Sequence, residues 1–90
     1  MKPKLYILSF DPYLTDATKL HGIIITLPGT VDWWHYIGSA YLISSTSSAY
    51  TLQNHINTRW AGRFLLAQVE PSDTGGWLPQ EAWDWINSKR

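Results

Sequence analysis

The sequence lacks cysteine, an excess of either charge and any long apolar run. The absence of cysteine excludes disulfide bonds and zinc sites built from thiolates. Seven basic residues balance seven acidic ones, and the basic residues are grouped at most in pairs, with Lys19 alone. The positive stripe that tight binding to duplex nucleic acid needs is therefore missing. The longest apolar run, residues 22–27, is too short to cross a bilayer.

The beginning of the chain also lacks the features of a secretion signal. The first four residues are followed by a short apolar stretch that ends at Asp11, which is too little for the apolar region of a signal peptide. Ninety residues are enough for one domain with a single core. We therefore expect one soluble cytoplasmic domain.

Aromatic residues are abundant, with six Trp and five Tyr. Each aromatic ring buries roughly 150–250 Å². The most informative stretch is a pair of aromatic and β-branched runs, residues 31–37 and 40–44, on either side of Gly38-Ser39. This pattern predicts a tight β-hairpin in which the glycine has a positive φ.

Side chains alternate between the two sides of a strand. We therefore expect Trp33, His35 and Ile37 on one side of the hairpin strand, and Trp34 and Tyr36 on the other. Both sides are bulky and largely apolar. The strand is therefore expected to be covered on both faces.

The remaining patterns predict two more strands and three helices. Strands are expected at residues 4–10, which end at Asp11-Pro12, and at residues 63–70. A stripe with helical spacing predicts a helix that Thr15 or Asp16 begins, although three consecutive isoleucines at 23–25 weakly favour a strand. The stripe consists of Leu14, Ala17, Leu20, His21, Ile24 and Leu27.

A second helix follows the serine-rich loop at residues 44–48, and a short third helix is expected within residues 77–86. One face of the second helix is predicted to carry Ala49, Leu52, Gln53, Ile56 and Trp60, and the helix is predicted to end at Ala61-Gly62.

This order of elements predicts an α+β, ferredoxin-like βαββαβ fold. Right-handed crossovers give a four-stranded antiparallel sheet in the order 4-1-3-2, with two helices on one face. Residues 1–70 would form this domain. Residues 71–90 would form a connector and a tryptophan-rich helical tail that packs on the same domain or on a partner subunit.

Two helices cover only one side of such a sheet, and soluble proteins seldom leave a large apolar face in water. A second copy packed face to face is the favoured cover, with the tail as the alternative; the two arrangements are compatible. The residues expected at this dimer or tail interface are Trp33, Trp34, Tyr36, Trp77, Trp83 and Trp85.

The chain also resembles a family. The run Trp33-Trp34-His35-Tyr36 before residues 39–43, and the ending Gly76-Trp77-Leu78-Pro79 with residues 83–85, look like the small bacterial and phage proteins of the SinR family. The strand and acid of residues 6–11 resemble the opening of small CRISPR-associated (Cas-type) endoribonuclease-like proteins. The resemblance covers nearly the whole chain and implies a ferredoxin-like homodimer.

In those CRISPR-associated relatives, the acid that ends the first strand meets its symmetry mate and is assigned a nuclease role. Only Asp11 matches that position. The resemblance thus gives Asp11 as a candidate catalytic and metal-binding residue, with Mg²⁺ as the cofactor of this alternative and no cofactor otherwise. An aspartate before a proline also has a simpler interpretation, which is that it shapes a turn.

Arg59 and Arg63 are expected near Asp11, where a guanidinium either pairs with the carboxylate or holds a phosphate. The three histidines lack metal-ligand spacing, and we expect His35 to be a hydrogen-bonded core or interface residue.

The sequence therefore predicts a small, non-catalytic homodimeric interaction module of bacterial or phage origin that serves nucleic-acid processing or defence. A protein partner in a larger complex is compatible with it, whereas a membrane is not expected. The alternatives are a Mg²⁺-dependent endonuclease that uses Asp11 of each subunit, and an inhibitor that binds a host complex.

Overall fold

The computed structural model describes residues 2–11 and 17–90, with the side chains of Ala17 and Tyr36 left outside the description. Four strands form one antiparallel sheet in the order β2-β3-β1-β4, which confirms the predicted α+β, ferredoxin-like class. The elements are β1 (Lys4–Phe10), α1 (Ala17–Ile24), β2 (Thr30–Ile37), β3 (Ala40–Ser45), α2 (Ala49–Asn57), β4 (Phe64–Val69) and α3 (Gln80–Asn87).

Strand β1 lies inside the sheet and pairs with β3 on one side and β4 on the other. Its side chains alternate between two faces of the sheet. Tyr6, Leu8 and Phe10 lie on what we call the first face, and all three are buried. Leu5 and Ile7 lie on the opposite, second face.

The main core lies on the first face. Leu20 and Ile24 of α1 and Leu52 and Ile56 of α2 are fully buried in one cluster with the side chains of the first face. The apolar stripes of both helices therefore supply this core. The cluster is completed by Tyr6, Leu8, Phe10, Ile23, Leu27, Tyr41, Ile43 and Trp60.

Helix α1 is observed where the stripe predicts it, so the isoleucine run does not form a strand. The predicted stripe residue Leu14 and the predicted cap residues Thr15 and Asp16 lie outside the described residues. The helix ends at Ile24, one turn before Leu27, which is nevertheless buried in the core.

Helix α2 is shorter than the prediction. Ser48 is its N-cap and accepts a hydrogen bond from the Thr51 backbone N–H at 3.1 Å, as is typical of serine at this position. The helix ends at Asn57, with Thr58 as its C-cap, so Trp60 lies beyond it. The Trp60 backbone N–H donates a hydrogen bond to the Ile56 carbonyl. This final turn places the Trp60 indole in the core.

The β2–β3 hairpin corrects two predictions. Gly38 does not have a positive φ; among the described residues, only Gly29 and Gly76 do. Ile37 was expected on the same face as Trp33, but it pairs with Ala40 and so lies on the second face with Trp34. The reason is an irregularity in register between Trp34 and Ile37, which reverses the alternation along the strand.

Candidate interaction surface

Helix α3 lies on the second face and is fixed there by Asp32 of β2. The Asp32 carboxylate accepts a hydrogen bond from the Trp85 indole N–H at 2.8 Å and another from the Lys89 ammonium at 2.9 Å. The Trp85 ring stacks on Trp34 at 6.4 Å between centroids, and Lys89 lies over the Trp85 ring. The tail of one chain thus contacts its own sheet.

These contacts also change the acidity of Asp32. Partial burial alone would raise the pKa of this carboxyl group, but hydrogen bonds from Lys89, Trp85 and the Trp33 backbone N–H outweigh that effect. The net result is a pKa below the ordinary value. The carboxylate is therefore in its charged, hydrogen-bond-accepting form at neutral pH.

Helix α3 covers only part of the second face. Leu5 and Trp34 are buried, as are Ala82 and Ile86 of the helix. By contrast, the side chains of Ile7, Ile37 and Leu65 are 36%, 47% and 70% exposed. We call this uncovered part the open half of the second face; it consists of Ile7, Ile37, Leu42 and Leu65.

An apolar groove of about 170 Å³ runs between the open half and the tail. Trp83 and Leu78 line its outer wall, and Ile7 and Leu42 lie on its floor. Trp77 immediately precedes Leu78 in the sequence and is 94% exposed. A tryptophan in water beside an apolar groove is typical of a residue that a binding partner covers.

The six predicted interface residues therefore fall into different places. Trp34 and Trp85 form the contact between α3 and the sheet, Trp83 lines the groove, and Trp77 is exposed. Trp33 lies on the first face, where its ring and the His21 ring form a T-shaped contact with 5.1 Å between centroids. The side chain of Tyr36 lies outside the described residues.

The structure also brings together the rings of His21, His35 and Tyr41, which are far apart or on different elements in the sequence. The His21 ring is hydrogen-bonded through Nδ1 to the Tyr41 hydroxyl at 2.8 Å, and the His35 ring stacks on Tyr41 at 3.9 Å. Burial raises the pKa of Tyr41. The only signal in the sequence is that His35 and Tyr41 lie across a short hairpin; nothing local indicates His21.

Asp11 and Arg63 are adjacent, as the sheet topology predicts. The Asp11 backbone N–H donates to the Arg63 carbonyl at 3.0 Å, which continues the pairing of β1 with β4. The Arg59 guanidinium is hydrogen-bonded to the His55 carbonyl and the Thr58 hydroxyl at the end of α2. The metal role of Asp11 and the phosphate role of the arginines stay predictions.

Within residues 2–11 and 17–90, no three His, Asp or Glu side chains are grouped so that they could hold a metal ion. A metal site shared across two subunits would need only one carboxylate from each chain, so this finding does not address it. No described helix has both the length and the apolar character needed to cross a membrane.

Comparison of the sequence with protein-family models gives no match, and searches against curated proteins and solved structures give none either. The resemblance to the SinR family and to the CRISPR-associated proteins therefore stays a prediction.

Proposed function

We propose that this chain is a homodimeric interaction module whose open half of the second face is covered by a second copy. The observation that carries the proposal is the unequal cover of this face, on which Trp34 is buried while Leu65 is 70% exposed. Exposed apolar area in one contiguous patch is a property of binding surfaces more than of free monomer surfaces.

The chemistry of the open half suits contact with an identical surface. It contains isoleucine and leucine side chains from β1, β2, β3 and β4 and no charged side chain. Packing such a surface on its own copy about a two-fold axis brings no like charges together. Two sheets packed face to face lie about 10 Å apart, so the alternating side chains meet directly.

Each buried apolar side chain would contribute to association. Removing apolar surface from water is worth about 25 cal/mol per Å², and Trp77, which precedes the groove-lining Leu78, exposes a large aromatic side chain. The polar groups that anchor α3, Asp32 and Lys89, lie away from the open half and remain satisfied within one chain.

A matched pair of isoleucine substitutions tests the proposal. Ile7 lies in the open half and Ile25 lies just after α1, with exposed fractions of 36% and 43%. In sedimentation velocity over a concentration series, we expect Ile7→Lys to weaken self-association at least tenfold, because it places a charge inside the contact. Ile25→Lys is expected to associate as the unaltered chain does.

Circular dichroism of both variants shows whether each keeps its fold. Equal association by folded Ile7→Lys and folded Ile25→Lys would contradict the proposal.

The nuclease alternative requires a separate test, because the interaction proposal includes no catalytic step. Cleavage of RNA and DNA is measured with Mg²⁺ or Mn²⁺ for the unaltered chain and for Asp11→Ala. Cleavage that is lost in Asp11→Ala would support the alternative, and the interaction module would then also be an enzyme.

A further inference from the structure

The two edges of the sheet differ in how they are protected. Strand β2 forms one edge, and its register is interrupted twice. It is also tied to α3 through Asp32. Strand β4 forms the other edge and pairs with β1 in unbroken register from Phe64 to Val69. Bulges and charges are the common means of preventing edge-to-edge pairing, and β4 contains neither a bulge nor a charged residue.

The hydrogen-bonding pattern identifies which backbone groups of β4 point outward. The Asp11 N–H donates to the Arg63 carbonyl, so Arg63 directs its backbone groups toward β1. Direction alternates along an antiparallel strand. Leu65, Ala67 and Val69 therefore also face β1, whereas Phe64, Leu66 and Gln68 direct their N–H and C=O groups to the outer side, which no strand of the described sheet borders.

The outer side of β4 is also accessible from the first face. A cavity of about 540 Å³ lies between β4 and α2, with Phe64 and Leu66 on one wall and Gln53 and Tyr50 on the other. Tyr50 is exposed, and Phe64 and Leu66 are only partly buried. An added strand would therefore find room beside β4 for its side chains.

We propose that β4 pairs edge to edge, antiparallel, with β4 of a second copy about a two-fold axis beside Leu66. In this register Leu66 lies opposite Leu66, and Phe64 of each copy lies opposite Gln68 of the other. Each outward-pointing residue of one strand then lies opposite an outward-pointing residue of the other. The outward N–H and C=O groups of the two strands therefore hydrogen-bond to each other. On the second face, the large exposed Leu65 lies opposite the small Ala67.

Charge at the strand ends is compatible with this pairing. One end carries Arg63 beside Asp11, and the other carries Glu70 near Lys2. Antiparallel pairing places the Arg63 end of one strand beside the Glu70 end of the other. Like charges directly opposite each other destabilise a strand pair, and this register places none within β4.

The edge contact is independent of the face contact proposed above. Its two-fold axis is perpendicular to the sheet, whereas the axis of a face-to-face contact is parallel to it. If the two axes intersect, a chain that uses both contacts forms a four-copy assembly with dihedral symmetry, in which two eight-stranded sheets enclose the apolar faces.

The absence of cysteine allows a direct test by single-cysteine cross-linking. Two Cα atoms in an opposed strand pair are about 5.5 Å apart, within reach of a disulfide. We expect Leu66→Cys to form a disulfide-linked dimer under mild oxidation. Gln68→Cys is the matched control on the same edge, because its two copies would lie about 14 Å apart along the strands.

Cross-linking of Gln68→Cys as fast as Leu66→Cys would overturn this register, and no cross-linking of Leu66→Cys would overturn the edge contact. If β4 instead pairs with an extended peptide from another protein, Leu66→Cys would form no cross-linked dimer.

A proline substitution separates the two contacts. The Leu66 N–H points outward, so Leu66→Pro removes no hydrogen bond to β1 and proline is tolerated at such edge positions. We expect folded Leu66→Pro to have half the mass of the unaltered assembly. If the face contact does not form, the unaltered chain is a dimer and Leu66→Pro a monomer. An unchanged mass for folded Leu66→Pro would overturn the edge proposal.

Discussion

The two faces of the sheet are covered in different ways, and the difference locates the surface that is available for binding. On the first face, α1 and α2 bury Leu8 and Ile43 completely. On the second face, α3 buries Trp34 but leaves Leu65 in water. The chain therefore forms a complete core on the first face and only a partial core, beneath α3, on the second face. The unfinished half is where we expect a partner to bind.

The largest expected effect comes from the pair of adjacent tryptophans in β2. Trp34 is 8% exposed and stacks on Trp85, whereas Trp33 is 36% exposed. We expect Trp34→Ala to lower the free energy of unfolding by about 3–5 kcal/mol, because it leaves a cavity beneath α3. Trp33→Ala should cost about 1–2 kcal/mol, since less of its surface is buried.

Urea unfolding of both variants measures this difference. Equal losses would mean that α3 does not form a second core with the sheet.

A matched pair of leucine truncations compares the two faces directly. Leu8 is fully buried on the first face, and Leu65 is largely exposed in the open half. We expect Leu8→Ala to cost about 2–5 kcal/mol and Leu65→Ala less than about 1 kcal/mol.

Urea unfolding is measured at the lowest practicable protein concentration, because self-association adds to apparent stability. A large loss for Leu65→Ala at that concentration would show that the open half is already covered within one chain.

The attachment of α3 predicts a dependence on pH. The folded-state pKa of Asp32 is lowered, so its stabilising contribution is present above the unfolded-state pKa, near 3.8, and is lost as the pH falls through the lower folded-state value. The carboxylate is partly exposed, which limits the effect to about 1 kcal/mol.

We expect Asp32→Asn to be less stable than the unaltered chain at pH 7 and the difference in stability to be smaller at pH 2. Chemical denaturation at the two pH values measures this. A stability difference that is the same at both would contradict the role of the charged carboxylate.

The smallest expected effect is at Trp77. Because its side chain is 94% exposed, Trp77→Ala should change the free energy of unfolding by no more than about 0.5 kcal/mol at low concentration. Thermal or urea unfolding checks this. A loss above about 1 kcal/mol would show that the indole packs within its own chain.

Much of the fold could be predicted because local patterns and topology agree. The alternation in β1 and the apolar stripes of α1 and α2 indicate which side chains form the first-face core, and crossover handedness then gives the strand order. The face on which Ile37 lies could not be predicted, since the register irregularity depends on pairing with β3. The premature end of α2 likewise depends on the burial of Trp60.

The interaction surface was only partly accessible from the sequence. The predicted strands contain apolar side chains on both faces, and two helices can cover only one face. An uncovered apolar surface could therefore be expected from the sequence. Its position is a tertiary property, because it depends on where Asp32 fixes α3 through Trp85 and Lys89. Those partners lie more than 50 residues apart in the chain, and no local pattern links them.

The molar mass of the unaltered chain in solution tests whether a second copy of the chain binds to it. Light scattering at micromolar concentration is predicted to give at least twice the 10.3 kDa mass of one chain, with dissociation on dilution. A mass of one chain at every concentration up to the millimolar range would contradict both the face contact and the edge contact.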